Sequence, residues 1–526
     1  MIDVVIAGAG PNGLMLAGEL GLAGVRPVVL DPLAGPNPEP RANGIIGQGV
    51  RILDHRGLYE HLADTSPPRP APGHMFAAFA LDLSLVPDSQ MYLLPVPQPK
   101  LVRVLAQRAA EYDTEVRWGH TLTGFEQRTD GVTVRVAGPD GPYELTAGYL
   151  VGADGGHSLT RNLAGIVFQG MSSTDVVGRL AAGVLPPEDW VDPATGALDV
   201  PGFGRVAGWR FVRTPRGLFI WALLNGRRLL GTFELDPTAN EERVREERSE
   251  YGVAMTLDEL QDSVQRVLGA ELPLRQQDND GEVMLRRFAG LNSRIASRYR
   301  LGRVLLVGDA AHVHSPLGGP GLNLGLQDAV NLGWKLAAVV LGRVGPALLD
   351  TYEGERRAAA ERVIMHSRAQ LALIRPGSEV TALRELFAEL LTDPGVVRHL
   401  GDTLSGADIR YPSGPDAHPL TGRWVPDLAI ETPTGTPRIA ELARDGRPLL
   451  LDLTGDGALA AAVSDIGGHV TITAGRPFPA VPASAILVRP DGYVAWASSA
   501  QQPDTTTLRE TLQRWFGIAA ALTSRP

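Results

Sequence analysis

Three short apolar runs divide the chain, and each is followed by glycine or an acidic residue. The runs are Val4 to Ala7, Tyr149 to Val151 and Val304 to Val307. A short continuous apolar run that ends in a turn is typical of a strand buried on both faces of a parallel sheet. An amphipathic pattern then predicts a helix through Leu22, and Val28 to Leu30 predicts the next parallel strand. The N-terminal part is therefore predicted to be an α/β domain.

The hydrophobic pattern changes several times further along the chain. The predicted helices are Gly44 to Leu62, about Lys100 to Tyr112, Glu241 to Leu268, the segment through Val340, and Ala347 to Ile374. Residues 115 to 136 predict two strands, Met75 to Leu94 partly alternates, and Val206 to Glu234 alternates as strands do. Prolines between Ser405 and Gly422 indicate a linker. The strand and helix patterns beyond it predict a small C-terminal α/β domain.

Composition narrows the classes of chemistry. The chain has 526 residues, of which 44% are hydrophobic and 21% charged, so two or three globular domains are expected. A net charge of −10 argues against a nucleic-acid or anionic-membrane partner. There is no cysteine, which excludes disulfides, thiolate metal sites and cysteine nucleophiles. Redox chemistry would therefore need an organic cofactor or a cysteine-free metal site.

The N-terminal segment and the lengths of the apolar runs bear on where in the cell the protein is found. Ile2-Asp3-Val4 leads straight into a strand pattern without a basic segment before it. No apolar run approaches the length of a membrane span. We therefore expect a soluble, cytoplasmic protein with no membrane partner.

The first candidate site is Gly8-x-Gly10-x-x-Gly13, which follows the first predicted strand, with Asp31 at the end of the second. Glycines in this context allow a tight turn and close approach of a pyrophosphate to a helix N-terminus, and the acid can bond a ribose hydroxyl. No arginine follows Asp31 to receive a 2′-phosphate, so the pattern favours FAD or NAD over NADP. Arg41 could pair with a phosphate, although, taken by itself, a solvated loop arginine is the better explanation.

Two further strand ends carry similar chemistry. Asp154-Gly155 is followed by Ser158 and Arg161, which could place a carboxylate, amides and a cation around phosphates. Gly308-Asp309 opens a Gly/Pro-rich loop, where Asp309 can accept bonds from ribityl hydroxyls and the amides from Gly321 to Leu324 can face a developing anion. Each acid could instead only cap a turn, but three such strand ends favour a ligand.

These three stretches, with Pro316-x-x-Gly-Pro-Gly-x-Asn323 in the third, occur in the order and spacing of group A flavoprotein monooxygenases. Over nearly its whole length the chain resembles the aromatic hydroxylases that tailor polyketides, including anthracycline, angucycline and rifampicin-type oxygenases. The resemblance implies a para-hydroxybenzoate hydroxylase-like fold of class α/β with three domains. They are a Rossmann-type FAD-binding domain at 1–170 and 285–400, a substrate-binding sheet domain at 171–284 helped by 75–97, and a thioredoxin-like domain at 420–526 without redox cysteines.

The resemblance also implies non-covalent FAD and a transient NAD(P)H co-substrate. The implied cofactor-binding residues are Gly8, Gly10, Gly13, Asp31, Arg41, Gln98, Asp154, Arg161, Asp309, Gly321, Leu322 and Asn323. In the implied cycle, NAD(P)H reduces the flavin, O₂ adds to form a C4a-hydroperoxide, and an electron-rich ring takes one oxygen atom. The expected partners are a polycyclic aromatic small molecule and O₂. The sequence leaves the oligomeric state open, and a homodimer is the assembly considered.

The flavin-side segment departs from the family pattern. Many relatives have Arg-Thr-x-Glu where this chain has Gln48-Gly-Val-Arg51, so Gln48, Arg51 and Pro316 are the candidate catalytic residues. This departure leaves Baeyer–Villiger oxygenation open beside hydroxylation, and a non-catalytic FAD-binding protein is a third reading.

Aromatic residues on the predicted strands suggest where a flat substrate could bind. Phe211 and Trp221 are the candidate substrate-binding residues, expected to lie opposite the loop around Pro316. Trp209 is a further candidate, and core packing is the competing explanation for all such aromatics.

Overall fold

The structure is a computed structural model that describes residues 2–38, 42–63, 66–208, 210–224, 227–235, 253–277, 283–315, 317 and 319–518. None of the helices in these ranges is long and apolar enough to cross a membrane.

The first 163 residues form most of a parallel sheet and its helices. The strands are β1 Ile2–Ala7, β2 Val28–Asp31, β3 Gly44–Ile46, β4 Gly73–Phe76, β5 Phe79–Asp82, β6 Leu93–Pro95, β7 Glu115–Trp118, β8 Thr121–Gln127, β9 Val132–Gly138 and β10 Gly141–Gly152, and the helices are α1 Pro11–Leu22, α2 Gln48–His55, α3 Gln98–Ala110 and α4 Leu159–Leu163. The sheet runs β10, β1, β2, β7 with parallel neighbours, and β8 and β9 extend it from β10. The apolar run of β1 is buried on both faces, as predicted.

The predicted helix from Gly44 to Leu62 is wrong in its first part. Residues Gly44–Ile46 form strand β3, which pairs with β6, and the helix begins only at Gln48. Gly47 causes the break, because its φ of 50° is unfavourable for other residues. Residues 115–136 form parts of three strands instead of the predicted two.

The middle region contains a second sheet, which is antiparallel. The strands of this region are β11 Phe168–Ala182, β12 Val184–Leu185, β13 Leu198–Val200, β14 Gly204–Val206, β15 Arg210–Thr214, β16 Gly217–Leu224, β17 Arg227–Leu235, β18 Val253–Ala254, β19 Arg275–Gln276 and β20 Met284–Ala296, with helix α5 Leu257–Leu268. The order of the second sheet is β15, β16, β17, β11, β20, β18, whereas β12 with β19 and β13 with β14 form separate two-stranded sheets. Strand β20 keeps the chain in this sheet to Ala296, past the expected boundary at residue 284.

The chain then returns to the first sheet and leaves it through long helices. The elements are β21 Arg300–Leu301, β22 Val304–Leu306, β23 His312–Val313, α6 Pro320–Val340, α7 Asp350–Ile374, α8 Ser378–Leu390 and α9 Pro394–Ser405. Strand β22 pairs in parallel with β10, which brings the third apolar run beside the second. The ends of β1, β10 and β22 therefore meet at one edge of the sheet, the edge at which open α/β sheets bind ligands.

The C-terminal region contains a separate four-stranded sheet. Its elements are β24 Ala429–Glu431, α10 Ile439–Leu442, β25 Leu449–Asp452, α11 Ala458–Ala462, β26 Thr471–Ala474, β27 Arg476–Phe478, β28 Ala485–Val488, β29 Val494–Ser498 and α12 Thr505–Phe516. The order is β26, β25, β28, β29, in which only the β25–β26 pair is parallel. One apolar cluster continues from the first sheet into β25 and β28, so this region packs directly on the N-terminal one.

Candidate functional site

The turn between β1 and α1 has two closely packed glycines and one that faces open space. A Cβ on Gly8, which has φ of 109°, would lie 2.4 Å from the carbonyl oxygen of Ala153, and one on Gly13 would lie 1.9 Å from that of Gly8. A Cβ on Gly10 would meet nothing within 4 Å. Gly10 therefore leaves room at the N-terminus of α1, where a diphosphate can approach backbone amides.

Asp31 lies at this turn, as the sequence predicts. Its Oδ2 accepts a hydrogen bond from the Ala9 amide at 2.8 Å, and its Oδ1 accepts one from the Leu33 amide at 2.9 Å. Each carboxylate oxygen keeps a further lone pair that can accept a ribose hydroxyl. The same acid thus fixes the turn and can bind the sugar next to the diphosphate.

The Asp154 segment contacts the glycine turn through its backbone. The Asp154 carboxylate accepts bonds from the Ser158 hydroxyl at 2.5 Å and from the amide and hydroxyl of Thr160, both at 2.9 Å. It therefore acts as the turn cap that was the competing explanation. The segment reaches the site through the Ala153 carbonyl, which packs against Gly8.

Arg161 differs from its predicted place among phosphates. Its side chain is buried, and its Nη1 and Nη2 donate to the carbonyls of Ala310 and Gly156, each at 3.0 Å. Its Cζ lies 3.8 Å from the centre of the Phe168 ring. Burial lowers the pKa of Arg161. Through its two Nη groups Arg161 joins the Asp154 turn to the Gly308–Ala310 turn, while its buried Nε has no hydrogen-bond partner within the described residues.

Asp309 is exposed at the end of β22, next to the glycine turn of β1. It lies in a short 3-10 turn, Gly308–Ala310. A Cβ on Gly308 would lie 2.0 Å from Nδ2 of Asn12, so the two turns touch. The Oδ1 of Asn12 is buried and has no hydrogen-bond partner within the described part of the chain.

A buried polar group behind this turn was missed by the sequence reasoning. Asp328 of α6, fully buried, accepts a bond from the Gly308 amide at 3.2 Å, lies 2.6 Å from His312 Nε2, and accepts a bond from Arg356 Nε at 2.7 Å. Burial opposes ionisation, but His312 and Arg356 together hold the pKa of Asp328 below its usual value. The polar residues at Gln327, Asp328, Asn331 and Lys335 on an otherwise apolar helix were the available signal.

The N-terminus of α6 faces the site with its first amides. Gly321 and Leu322 are half-exposed there, whereas the predicted cofactor residue Asn323 is buried. Asn323 Oδ1 accepts a bond from the Ile46 amide at 2.7 Å, and its Nδ2 donates to the Gly319 carbonyl at 2.8 Å. Its side chain therefore ties β3 to the start of α6.

Three further predicted residues are Gln98, Arg41 and Pro316. Gln98 is the first residue of α3, half-buried, and its amide donates to the Ala42 carbonyl at 2.9 Å. Arg41 and Pro316 lie outside the residues that the structure describes.

The predicted catalytic residues Gln48 and Arg51 both lie on α2 and are both buried. Arg51 is turned towards the C-terminal region, where its Nη2 donates to the Val425 carbonyl at 3.0 Å. Burial lowers the pKa of Arg51. The Cγ of Gln48 lies 3.6 Å from the position of a Cβ on Gly406, and its Oε1 has no hydrogen-bond partner within the described residues. The catalytic roles of both residues stay predictions.

The candidate substrate residues fall on opposite faces of the second sheet. Phe211 pairs with Ile220, and both belong to the apolar cluster that contains Leu317. Leu317 lies just before α6, in the segment called here the α6 loop. Trp221, the residue after Ile220, belongs instead to the cluster around α5. It is 3% exposed, and its Nε1 donates to the Gly196 carbonyl at 2.8 Å. Trp221 thus packs as a core residue on the face opposite Phe211, because alternation along a strand sends neighbouring residues to opposite faces. Trp209 lies outside the described residues.

The described residues fit an FAD molecule. Gly10 leaves open space at a helix N-terminus, Asp31 has spare acceptor capacity beside it, and Asp309 and the first amides of α6 follow along the same edge. The unpartnered Oδ1 of Asn12 is an acceptor that a ribityl hydroxyl can satisfy. The elements thus present a diphosphate site, a polyol site and an anion-favouring helix end in the order in which FAD carries these groups.

Comparison with known proteins agrees with this geometry. A family model described as an FAD binding domain matches residues 1–367, and one described as the C-terminal domain of aromatic-ring hydroxylases matches residues 418–519. The chain is 39% identical to a 12-dehydrotetracycline 5-monooxygenase/anhydrotetracycline 6-monooxygenase of Streptomyces rimosus, over 98% of this chain and 99% of that protein. It is 37% identical to a rifampicin monooxygenase of Streptomyces venezuelae, over 99% and 100% of the two chains.

A solved structure shows the same likeness. The anhydrotetracycline hydroxylase OxyS from Streptomyces rimosus superposes with a TM-score of 0.82 at 39% identity, covering 98% of this chain and 99% of that chain. Likeness at this level over both chains extends through the two sheets and the C-terminal region. The chain therefore belongs to the FAD-binding aromatic-ring hydroxylase family and is an FAD-dependent monooxygenase.

Proposed function

We propose that the protein uses NAD(P)H and O₂ to insert one oxygen atom into the ring system of a polycyclic aromatic polyketide. The observation that carries this proposal is the apolar inner face of the second sheet. Phe211, Leu218 and Ile220 on that face belong to one cluster with Leu317 of the α6 loop. A flat apolar substrate needs such a surface next to the ring end of the cofactor. The relatives that act on tetracycline-type and rifampicin substrates support the same substrate class.

The chain's own residues would bind the cofactor as follows. Amides around Gly10 would hold the diphosphate, Asp31 the ribose and Asp309 the ribityl chain. The first amides of α6, at Gly321 and Leu322, would face the ring where negative charge collects on reduction. When bound, FAD supplies the redox chemistry and the activation of O₂, which no side chain of this cysteine-free protein can provide.

The protein's contribution to the oxygen transfer is orientation and exclusion of water. The sheet face and the α6 loop would bracket the substrate ring, and their apolar side chains would keep water from the reacting atoms. Arg51 of α2 is buried and donates to the Val425 carbonyl of the C-terminal region, so we assign it no part in this step. Baeyer–Villiger oxygenation is the alternative outcome, and the structure of the product distinguishes it from hydroxylation.

The division of labour follows the three regions. We infer a Rossmann-type FAD-binding domain from the parallel order β10, β1, β2, β7, a substrate domain from the second sheet, and a thioredoxin-like domain from the order β26, β25, β28, β29. The last has no cysteine and would carry no electrons. Its place would be structural.

The test is an incubation of the flavin-loaded protein with NADH or NADPH, ¹⁸O₂ and a panel of tetracycline-, angucycline- and rifamycin-type aromatic compounds. The expected product retains its carbon rings and carries one ¹⁸O atom, seen by mass spectrometry and NMR. A ring-expanded lactone would establish Baeyer–Villiger oxygenation instead. A product without ¹⁸O, or NAD(P)H oxidation that yields only hydrogen peroxide with every compound, would contradict the proposal.

A further inference from the structure

The hairpin between β4 and β5 has an unusual turn. Its two central residues are Ala77, with φ of 51°, and Ala78, with φ of 65°. Two-residue hairpin turns with positive φ at both positions normally use Asn-Gly, Asp-Gly or Gly-Gly. Alanine has neither the freedom of glycine nor the polar side chain of asparagine that makes this conformation tolerable. The surrounding structure must therefore hold the turn in place.

Two side chains from separate helices hold Ala77. Gln370 of α7 accepts a bond from the Ala77 amide at 3.1 Å through its Oε1. Arg384 of α8 donates from Nη1 to the Ala77 carbonyl at 2.7 Å and to the Leu373 carbonyl at 3.0 Å. The Cζ of Arg384 also lies 3.8 Å from the centre of the Phe79 ring, which follows the turn.

The position of Arg384 costs solvation free energy, because its guanidinium is partly buried beside backbone carbonyls. Within the described residues it forms no ion pair with a carboxylate. Burial, and secondarily the nearby charge of Arg213, lower the pKa of Arg384 to about 10. A partly buried cation bonded only to carbonyls loses hydration without gaining a counter-ion. Such an arrangement indicates that the position of the turn matters.

The turn belongs to the same apolar cluster as both sides of the proposed ring site. Phe76 and Ala77 belong to the cluster that contains Leu218 and Ile220 of the sheet face and Leu317 of the α6 loop. Ala77 is 3% exposed, so it is packed inside this cluster. A shift of the turn would therefore move the apolar wall of the site.

Helix α8 depends on the same contacts. It has no fully buried side chain, and its Phe387 packs on Phe76 and Phe79 with ring centres 5.9 Å and 5.2 Å apart. Beside it, Arg213 Nη1 of the second sheet donates to the hydroxyl of Thr381 at 2.7 Å. Arg384 thus ties the hairpin, the helix and the end of α7 into one unit.

We propose that Arg384 is a positioning residue that clamps the Ala77–Ala78 turn against the ring site and so fixes the wall on which the substrate's ring system lies. This inference rests on the proposed function, since it concerns the same site. Arg384 acts through the turn and touches no reacting atom.

The test combines removal of the clamp with relief of the turn. We expect Arg384→Met to raise substrate KM and the share of NAD(P)H lost as hydrogen peroxide by roughly threefold to tenfold. FAD occupancy and the rate of substrate-free flavin reduction should not change. Arg384→Lys, which keeps the charge but not the fork of donors, should fall between. In the Ala77→Gly/Ala78→Gly background, which can adopt the turn unaided, Arg384→Met should have a clearly smaller effect on coupling.

The matched control is Arg398→Met, because among the described residues Arg398 bonds to the carboxylate of Asp88, in an exposed ion pair. It should leave KM and coupling unchanged. The proposal is overturned if Arg384→Met lowers Tm but leaves KM and coupling at the wild-type values, or if the glycine pair fails to reduce its effect. Should Arg384→Met not fold, Arg384→Lys with and without the glycine pair decides by the same two criteria.

Failure of the proposed function can be told apart from failure of the clamp. The binding of each aromatic compound is followed separately through the perturbation of flavin absorbance. A wild-type protein that binds a compound without oxygenating it contradicts the proposed function. The clamp is then supported if Arg384→Met weakens that binding and the glycine pair restores it, and contradicted if binding is unaffected.

Discussion

The glycines of the β1–α1 turn have different tasks despite their shared motif. Gly8 and Gly13 are required because backbone atoms occupy the places of their side chains, whereas Gly10 is required only if a ligand occupies the space beside it. The motif alone cannot show which glycine is needed for folding and which for binding, since all three positions are glycine in the sequence. The contacts around each residue separate folding from binding.

This difference predicts opposite outcomes for two single substitutions. Gly10→Ala should fold with unchanged Tm but bind FAD roughly tenfold more weakly or worse, a loss of about 1.4 kcal/mol, because its methyl group enters the diphosphate space. Gly8→Ala should instead fail to fold stably, because φ is 109° and the methyl would meet Ala153. Flavin titration and thermal unfolding measure the two effects. Equal FAD affinity for Gly10→Ala and the wild type would contradict the assignment.

The two candidate substrate residues should also separate in experiment. Trp221→Ala should lower the free energy of unfolding by about 3–5 kcal/mol, since it empties a buried site, and should leave coupling unchanged. Phe211→Ala should raise KM and hydrogen peroxide release, with a smaller loss of stability because Phe211 is only half-buried. Denaturation and product analysis on both variants provide the comparison. Uncoupling by the tryptophan variant alone would reverse the assignment of faces.

Among the elements, the strands formed by continuous apolar runs were the most predictable and the short connecting strands the least. Strands β1, β10 and β22 follow from continuous apolar runs that only a doubly covered sheet can bury. Strand β3 could not be predicted, because three residues beside a helix give no periodic signal of their own. The β4–β5 turn also went unseen, since Ala-Ala is not a turn sequence and is held by residues almost 300 positions away.

Strand β3 owes its position to the α6 helix, and this dependence can be tested at Asn323. Asn323→Ala would leave the Ile46 amide without its acceptor inside the protein, at a cost of about 1–3 kcal/mol. We expect lower thermal stability together with faster loss of FAD on dilution. Asn323→Asp keeps the acceptor for Ile46 and should recover most of the stability. The role fails if the alanine variant loses stability yet retains FAD as the wild type does.

Across the whole molecule, the C-terminal region is joined to the cofactor-binding region by buried arginines. Arg56, the residue after α2, makes a bidentate ion pair with Glu19 and donates to the carbonyls of Ala443 and Pro490. Arg489 comes from the other side and pairs with Glu355 of α7. The linker and the small α/β region were predictable from proline content and strand patterns. This ionic junction was not, since its members are far apart in sequence.

The junction predicts loss of stability in acid. Burial opposes ionisation of Glu355, but Arg489 and Lys335 hold its pKa well below the ordinary value of 4.5. A carboxyl group whose pKa is lowered by folding stabilises the protein above its unfolded pKa, and that stabilisation is lost as pH falls through the folded value. Tm should therefore decline as pH drops below about 4.5. Glu355→Gln should be less stable at pH 7 and show a shallower decline, and an identical slope in both proteins would contradict this.

A charge deletion at the same junction separates structural support from electron transfer. Arg489→Met should lower the free energy of unfolding by about 3–5 kcal/mol, because it leaves Glu355 and Asp491 buried without their main partner. Adding Asp491→Asn should restore part of this loss, since Glu355 then balances the buried Lys335 and no surplus carboxylate is left. In every variant that folds, the rate of flavin reduction by NAD(P)H should equal that of the wild type, because we propose that the cysteine-free C-terminal region takes no part in electron transfer. Stopped-flow absorbance gives this rate, and a collapse in a folded, flavin-loaded variant would show that the C-terminal region takes part in the reduction itself.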